Sequence, residues 1–345
     1  MVMEEHSETA VNIGPASGGI RRVLPAIKLL VTIGVSVWIV TYVDWPQFWG
    51  VLLTANRWVI ALAALMLWFG LAVSSYKWQL VLRMYGRRFK LRRLVRLYLE
   101  AGFLNHFLPT SIGGDGHRIY KTWHGDGGKS SALLAVLIER VTGVAALLLL
   151  GYGAAVVTYL QRGDSRAGVI AVAGTAVLLG VLAALYLCLR YRLLQAVFRR
   201  LPWGDKLAGV IALIPDFRDH AGTSTAVGLI SFIFHVNKIL VMWLLLYSLG
   251  VVTNVVELTV VVVAVELIGL LPISLGGLGV VEGSFLFAAE YLGVRNEVAL
   301  AAVLFLRVLV IMLSLVGAAL YSMGDRGVRG GEHGDSESSP VAVPH

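Results

Sequence analysis

Apolar positions in this chain come in long uninterrupted blocks, not in the short periods of a water-soluble fold. Six blocks have the length of a bilayer-crossing helix: about 24–42, 57–82, 131–160, 167–189, 222–250 and 298–323. Within them Trp58–Tyr76, Val141–Gln161 and Ala167–Leu189 contain no charge at all. A helix needs about 20 such residues to cross the hydrocarbon of a membrane. Two further blocks, 94–124 and 257–292, are apolar but broken midway by Pro and Gly. The pattern predicts an all-α polytopic membrane protein of six full transmembrane helices plus two re-entrant broken-helix hairpins. It forms a single membrane domain over 23–323, between a polar cytoplasmic N-terminal tail (1–22) and a disordered cytoplasmic tail (324–345) rich in Gly, Ser and Glu.

Composition agrees: 57% of the 345 residues are hydrophobic and only 14% charged, with a mean hydropathy of +0.78. A soluble domain of this length needs more charge to cover its surface. Cys188, the one cysteine, lies inside an apolar block, so neither a disulfide framework nor a cysteine metal site is expected. Nothing in residues 1–22 reads as a cleaved signal.

The net charge of +8 is gathered in loops, which points to membrane sidedness and anionic lipid, with no nucleic-acid partner. Arg83, Arg87, Arg88, Lys90, Arg92, Arg93 and Arg96 follow the second block, and six more basic residues lie between 190 and 218. Arg21, Arg22, Arg326 and Arg329 mark the two ends, whereas 43–56, 161–166 and 251–256 carry little positive charge beyond Arg162 and Arg166. Lys/Arg-rich loops face the cytoplasm, so both termini are placed there, in a cell-membrane protein. The sides alternate correctly only if each broken block dips in and returns to its own side. Non-helical backbone at that depth requires surrounding protein or a water-filled cavity. The basic stretch 85–98 also reads as an interfacial amphipathic helix.

The two breaks are copies of one motif. Leu108-Pro109-Thr110-Ser111-Ile112-Gly113-Gly114-Asp115-Gly116 aligns with Leu271-Pro272-Ile273-Ser274-Leu275-Gly276-Gly277-Leu278-Gly279. Each copy follows two full spans and precedes one, so the second half (about 167–323) is inverted relative to the first (about 24–160). Inverted repeats with discontinuous helices are a transporter architecture. Pro ends one half-helix, the Gly pair exposes backbone N–H groups, and the next half-helix points its positive end into the gap. Such a turn suits an anion, and a lipid phosphate is the obvious one.

Ionisable groups gather near the motifs. Glu100 and Asn105 precede the first, and Asp115, His117, Arg118 and Lys121 follow it. Glu139 and Arg140 lie in the third span, Arg307 in the last, and Glu266 and Glu282 flank the second motif. Each costs about 3 kcal/mol at membrane depth unless paired or wetted. Arg118 is a candidate phosphate partner, Asp115 can hold Arg118 or cap its helix, and Glu282 can pair with Arg140 or Arg307. These charges read either as ion pairs that fix helix register or as a polar track for a headgroup. His235 and Lys238, one helical turn apart, are a secondary candidate for phosphate or proton handling.

The sequence resembles the lysylphosphatidylglycerol synthase transmembrane-region family, a group of flippase-like membrane domains. The matching pieces are Asn105 with Leu108–Asp115 and Arg118, then Ile138-Glu139-Arg140, then Leu271–Glu282. The resemblance implies a role in moving or handling a phospholipid or lipid-linked saccharide between leaflets. The headgroup site then comprises Asn105, Pro109, Gly113, Gly114, Asp115, Arg118, Glu139, Arg140, Pro272, Gly276, Gly277, Glu282 and Arg307. With only about 20 residues after the last span, no aminoacyltransferase domain is expected, and no catalytic residue, metal or cofactor is assigned. The alternative is an integral membrane transferase acting on polyprenyl-phosphate or phospholipid, with Asp115, Glu139 and Glu282 as metal or base residues. A third possibility is a non-catalytic partner in envelope assembly. No Gly-x-x-x-x-Gly-Lys-Ser/Thr occurs, so any transport is passive or ion-coupled.

Overall fold

The computed structural model describes residues 18–107, 113–123, 128–163, 168–169, 221–271, 273–274 and 277–323. Every regular element among them is helical. The first half contains α1 (Gly18–Tyr42), α2 (Trp45–Leu53), α3 (Arg57–Met84), α4 (Leu91–Phe107), α5 (Gly113–Thr122) and α6 (Gly128–Arg162). The second contains α7 (Ala221–Ser248), α8 (Val255–Gly269), α9 (Val280–Ala289), a 3-10 turn (Glu290–Leu292) and α10 (Asn296–Ser322).

Four helices are long and apolar enough to cross a membrane: α3, α6 from Ser131, α7 from Gly222, and α10. Lys28–Tyr42 with Trp45–Leu53, bent by 84°, makes a fifth candidate. The chain is a multi-pass membrane protein. The expected spans 57–82, 131–160, 222–250 and 298–323 fall on the four, and 24–42 falls on α1. The expected span 167–189, Cys188, the basic stretch 190–218 and both expected tails (the N-terminal one as far as residue 17) lie outside the described residues.

Two local expectations change. Residues 43–56 are not a plain loop, because Asp44 accepts the Gln47 amide (3.2 Å) and Pro46 lies in the first turn of α2, a Trp- and Phe-rich helix fit for a membrane interface. Nor is 85–98 one helix. Gly86, at φ +72°, ends α3 with the Gly86 N–H on the Arg83 carbonyl (2.9 Å) and the Arg87 N–H on the Leu82 carbonyl (3.0 Å). That Schellman closure delays the next helix to Leu91. Gly250 ends α7 the same way, with Gly250 on Tyr247 and Val251 on Leu246, and α8 likewise begins five residues later at Val255.

Helix contacts come in matched pairs. α3 packs along α7 in the broadest contact among the described residues. α4 packs on α10, and α8 on α6; α5 packs on α6, and α9 on α10. The broken segment of each half therefore lies against the last helix of the other. In both cases a small residue lets backbones approach, as membrane helices require. A Cβ on Gly317 of α10 would strike the Leu99 carbonyl of α4, and one on Gly151 of α6 would come within 2.6 Å of Val263 of α8.

The contacts also define two rims. On one, Arg87 donates to Ser131 Oγ and to the Thr122 carbonyl (both 3.0 Å), and Arg96 to the Leu320 carbonyl (2.9 Å). On the other, the Asn56 amide bonds the Ser248 carbonyl (2.8 Å), Arg162 pairs with Glu257 (2.8 Å) and Tyr42 bonds Glu290 (3.2 Å). The start of α4 and the end of α5 share the first rim; the start of α8 and the turn after α9 share the second.

Candidate functional site

The first site is built where α4 gives way to α5. Pro109 lies outside the described residues, and Gly113 is the first residue of α5. The Gly114 amide donates to Asn105 Oδ1 (2.8 Å), satisfying one of the orphan N–H groups at the helix start. A Cβ at Gly114 would collide with the Ala101 carbonyl, so the close approach of α4 and α5 requires glycine there.

Asn105 thus caps α5, which frees Asp115 to pair. Asp115 Oδ2 receives Arg140 (Nη2 at 2.5 Å, Nε at 3.1 Å), and Asp115 Oδ1 lies 3.5 Å from Arg118. Arg118 also pairs with Glu139, which accepts a second bond from the Tyr98 hydroxyl. The result is a chain of alternating charge, Arg140–Asp115–Arg118–Glu139, joining α5 to α6. The Arg118 guanidinium sits 4.2 Å from the Trp78 ring centre and 4.0 Å from that of Tyr98. Lys77, also buried, donates to the Glu139 carbonyl oxygen (3.1 Å). Arg118 is 4% exposed, whereas the Arg140 side chain is 52% exposed. Beside this chain, Glu100 is held by Arg96 (2.7 Å) and His117 (2.8 Å).

The second site differs. Glu282 on α9 pairs with Arg307 on α10, so of the two arginines open to it the partner is Arg307. Pro272 and Gly276 lie outside the described residues. Gly277 and Gly279 both have φ +77°, a conformation that favours glycine, and Gly279 opens α9. Just before the break, Glu266 of α8 takes Lys238 (2.6 Å) and faces His235 Nδ1 (3.4 Å), both on α7. A Cβ added to Gly143 of α6 would lie 3.8 Å from both His235 Nε2 and Lys77 Nζ. Polar groups thus run from Asp115, beside the first break, to Glu266, beside the second.

One ion pair recurs. Asp115 to Arg140 and Glu282 to Arg307 are each 25 residues apart, from short helix to following long helix. Asp115 and Glu282 are 167 residues apart, as are the helix starts Gly113 and Val280. The Pro–Gly motifs align 163 residues apart, so four more residues separate motif from helix in the second half. The other clusters are private: Arg118 and Glu139 correspond to Phe285 and Leu306, which are apolar.

Three members escape sequence reading. Trp78 and Tyr98 look like ordinary apolar-block aromatics, and Lys77 looks like the charge that ends the uncharged run Trp58–Tyr76. The available signal was that α3 continues uncharged past Lys77 to Leu82 before the basic loop begins.

The sequence profile of the lysylphosphatidylglycerol synthase TM region matches residues 26–317, and the chain belongs to that family. No curated protein matches it. Family and apolar helices together make this a membrane protein related to lipid handling.

Proposed function

We propose that this member of the family translocates a phospholipid or lipid-linked saccharide between leaflets, holding the headgroup at the charged clusters beside the two broken segments. The observation that carries the reading is the exposure of Arg140 and Lys238. Their side chains are 52% and 39% exposed, although both lie on helices long and apolar enough to span. Lys238 sits ten residues from the end of α7, about 15 Å at helical rise, which is the depth of the bilayer midplane. A cation exposed there faces water or a polar ligand, because lipid tails do not solvate it. Each cation also has a carboxylate partner beside a motif copy, Asp115 or Glu266. The resulting sites can exchange an internal acid for a headgroup anion.

In this reading the chain has six full spans, both broken segments re-enter, and the halves are inverted repeats with both termini cytoplasmic. The rims support it, since each broken segment begins and ends on one rim. The matched helix contacts, the repeated acid–arginine pair and the paired Schellman closures support the repeat. Arg118, Glu139, Trp78 and Tyr98 act as the positioning core that fixes α5, and Glu282–Arg307 does the same for α9.

Purified protein in proteoliposomes, with a fluorescent phosphatidylglycerol as probe, tests the reading through dithionite quenching of each leaflet. Exchange faster than in protein-free vesicles is expected. Divalent-dependent chemical conversion of the lipid without exchange would replace the translocator with a membrane transferase.

A further inference from the structure

The α7–α8 cluster places one acid between two bases of unequal access. Lys238 Nζ lies 2.6 Å from Glu266 Oε1; His235 Nδ1 lies 3.4 Å from Oε2 and forms no hydrogen bond. The Lys238 side chain is 39% exposed and that of His235 only 8%. On the far edge of the imidazole, Nε2 faces Gly143 of α6, and Lys77 Nζ of α3 approaches the same point. The charged side chains nearest the cluster on α6 and α10 are already engaged. Glu139 holds Arg118, Arg140 holds Asp115, and Arg307 on α10 holds Glu282. His235 therefore stands between the Glu266 carboxylate on its Nδ1 edge and the Lys77 ammonium across Gly143 from its Nε2 edge.

While Lys238 occupies Glu266, the charge of that acid is matched. An anion that draws Lys238 away leaves Glu266 without its counter-ion in a membrane interior, where an unpaired charge is disfavoured. A proton on His235 restores the match without moving a helix, because Nδ1 already faces Oε2. We infer that His235 couples uptake of one proton to the capture of one phosphate-type monoanion by Lys238, with Glu266 as the acid they share. The inference rests on the proposed headgroup role of Lys238 and adds an energy source to it. Anion plus proton carries no net charge, so the pair crosses without work against the membrane potential. By reciprocity the anion binds more tightly as pH falls, by up to about tenfold per pH unit for one linked proton.

The test is proton uptake on binding, read with a pH indicator and full-length protein in weakly buffered neutral detergent. Dihexanoylphosphatidylglycerol is expected to bind with uptake of about one proton, as one-to-one linkage requires. Dimethyl phosphate distinguishes the sources: equal uptake with it assigns the site to any phosphodiester anion, and uptake with the lipid alone assigns it to a headgroup. Both results support the coupling. His235→Gln is expected to abolish the uptake. Lys238→Met, which has no ammonium to draw off Glu266, is expected to do the same. Binding without uptake in the wild type, or uptake persisting in His235→Gln, overturns the inference. Leaflet exchange measured separately at equal pH reports on transport alone. Exchange without proton uptake sinks only the coupling, and proton uptake without exchange sinks only the translocator.

Discussion

Arg118 and Arg140 are near neighbours on the same acid, Asp115, yet their surroundings give them different jobs. Arg118 is enclosed by Trp78, Tyr98 and Glu139, with its guanidinium against two rings that meet edge to face. Removing it strands Glu139 in the interior, and breaking a buried pair from one side costs about 3–5 kcal/mol. Arg118→Leu is therefore expected to lower the melting temperature in detergent markedly. Arg140 is half-exposed, and an exposed pair is worth about 1 kcal/mol or less. Arg140→Gln is expected to melt close to the wild type, and differential scanning fluorimetry of both variants checks the contrast. The sequence reveals both arginines as intramembrane charges and nominates Arg118 for the phosphate. It cannot reveal that Arg118 is enclosed, because its rings come from α3 and α4, whose approach is a tertiary event. The two possibilities open for Asp115 are resolved by Asn105, which takes the capping role.

At the scale of the element, close approach depends on missing side chains. Gly114 of α5 lies against the Ala101 carbonyl and Gly317 of α10 against the Leu99 carbonyl. Backbone oxygens cannot rotate away, so Gly114→Ala and Gly317→Ala are expected to cost about 1–3 kcal/mol each, as overpacking does. Gly116, two residues beyond Gly114 on the same helix, has nothing within 4 Å of a Cβ. Gly116→Ala is expected to be neutral or to stabilise by up to about 1 kcal/mol, the helix-propensity difference. Thermal melts of the three variants separate packing from propensity. Most helices were legible, since unbroken apolar blocks of this length admit no other element. The start of α4 was not, because the glycine that closes α3 acts through its positive φ, which hydrophobic patterning does not encode. The α2 helix was missed for a related reason: its signal is a cap and a proline across nine residues, too short for a block.

At the scale of the molecule, the motif pair was legible and its geometry only partly so. Sequence aligned the turns at one spacing, whereas the short helices and the acid–arginine pairs follow another, because four additional residues lie between motif and helix in the second half. The proposed sidedness is open to a direct check in a Cys188→Ser background. Single cysteines replacing Lys90 and Thr54, which belong to opposite rims, are expected to react with an impermeant maleimide from opposite sides of inverted vesicles. Labelling of both from one side would refute the topology. Transport itself is read as leaflet exchange of fluorescent phosphatidylglycerol by wild type, Arg140→Gln and Lys238→Met at matched thermal stability. Rapid exchange by the wild type is expected, and at least about tenfold slower exchange by each variant, since one charge-assisted contact is worth about 1.5–3 kcal/mol. Wild-type exchange no faster than in protein-free vesicles, or variants indistinguishable from the wild type, would contradict the proposed translocation.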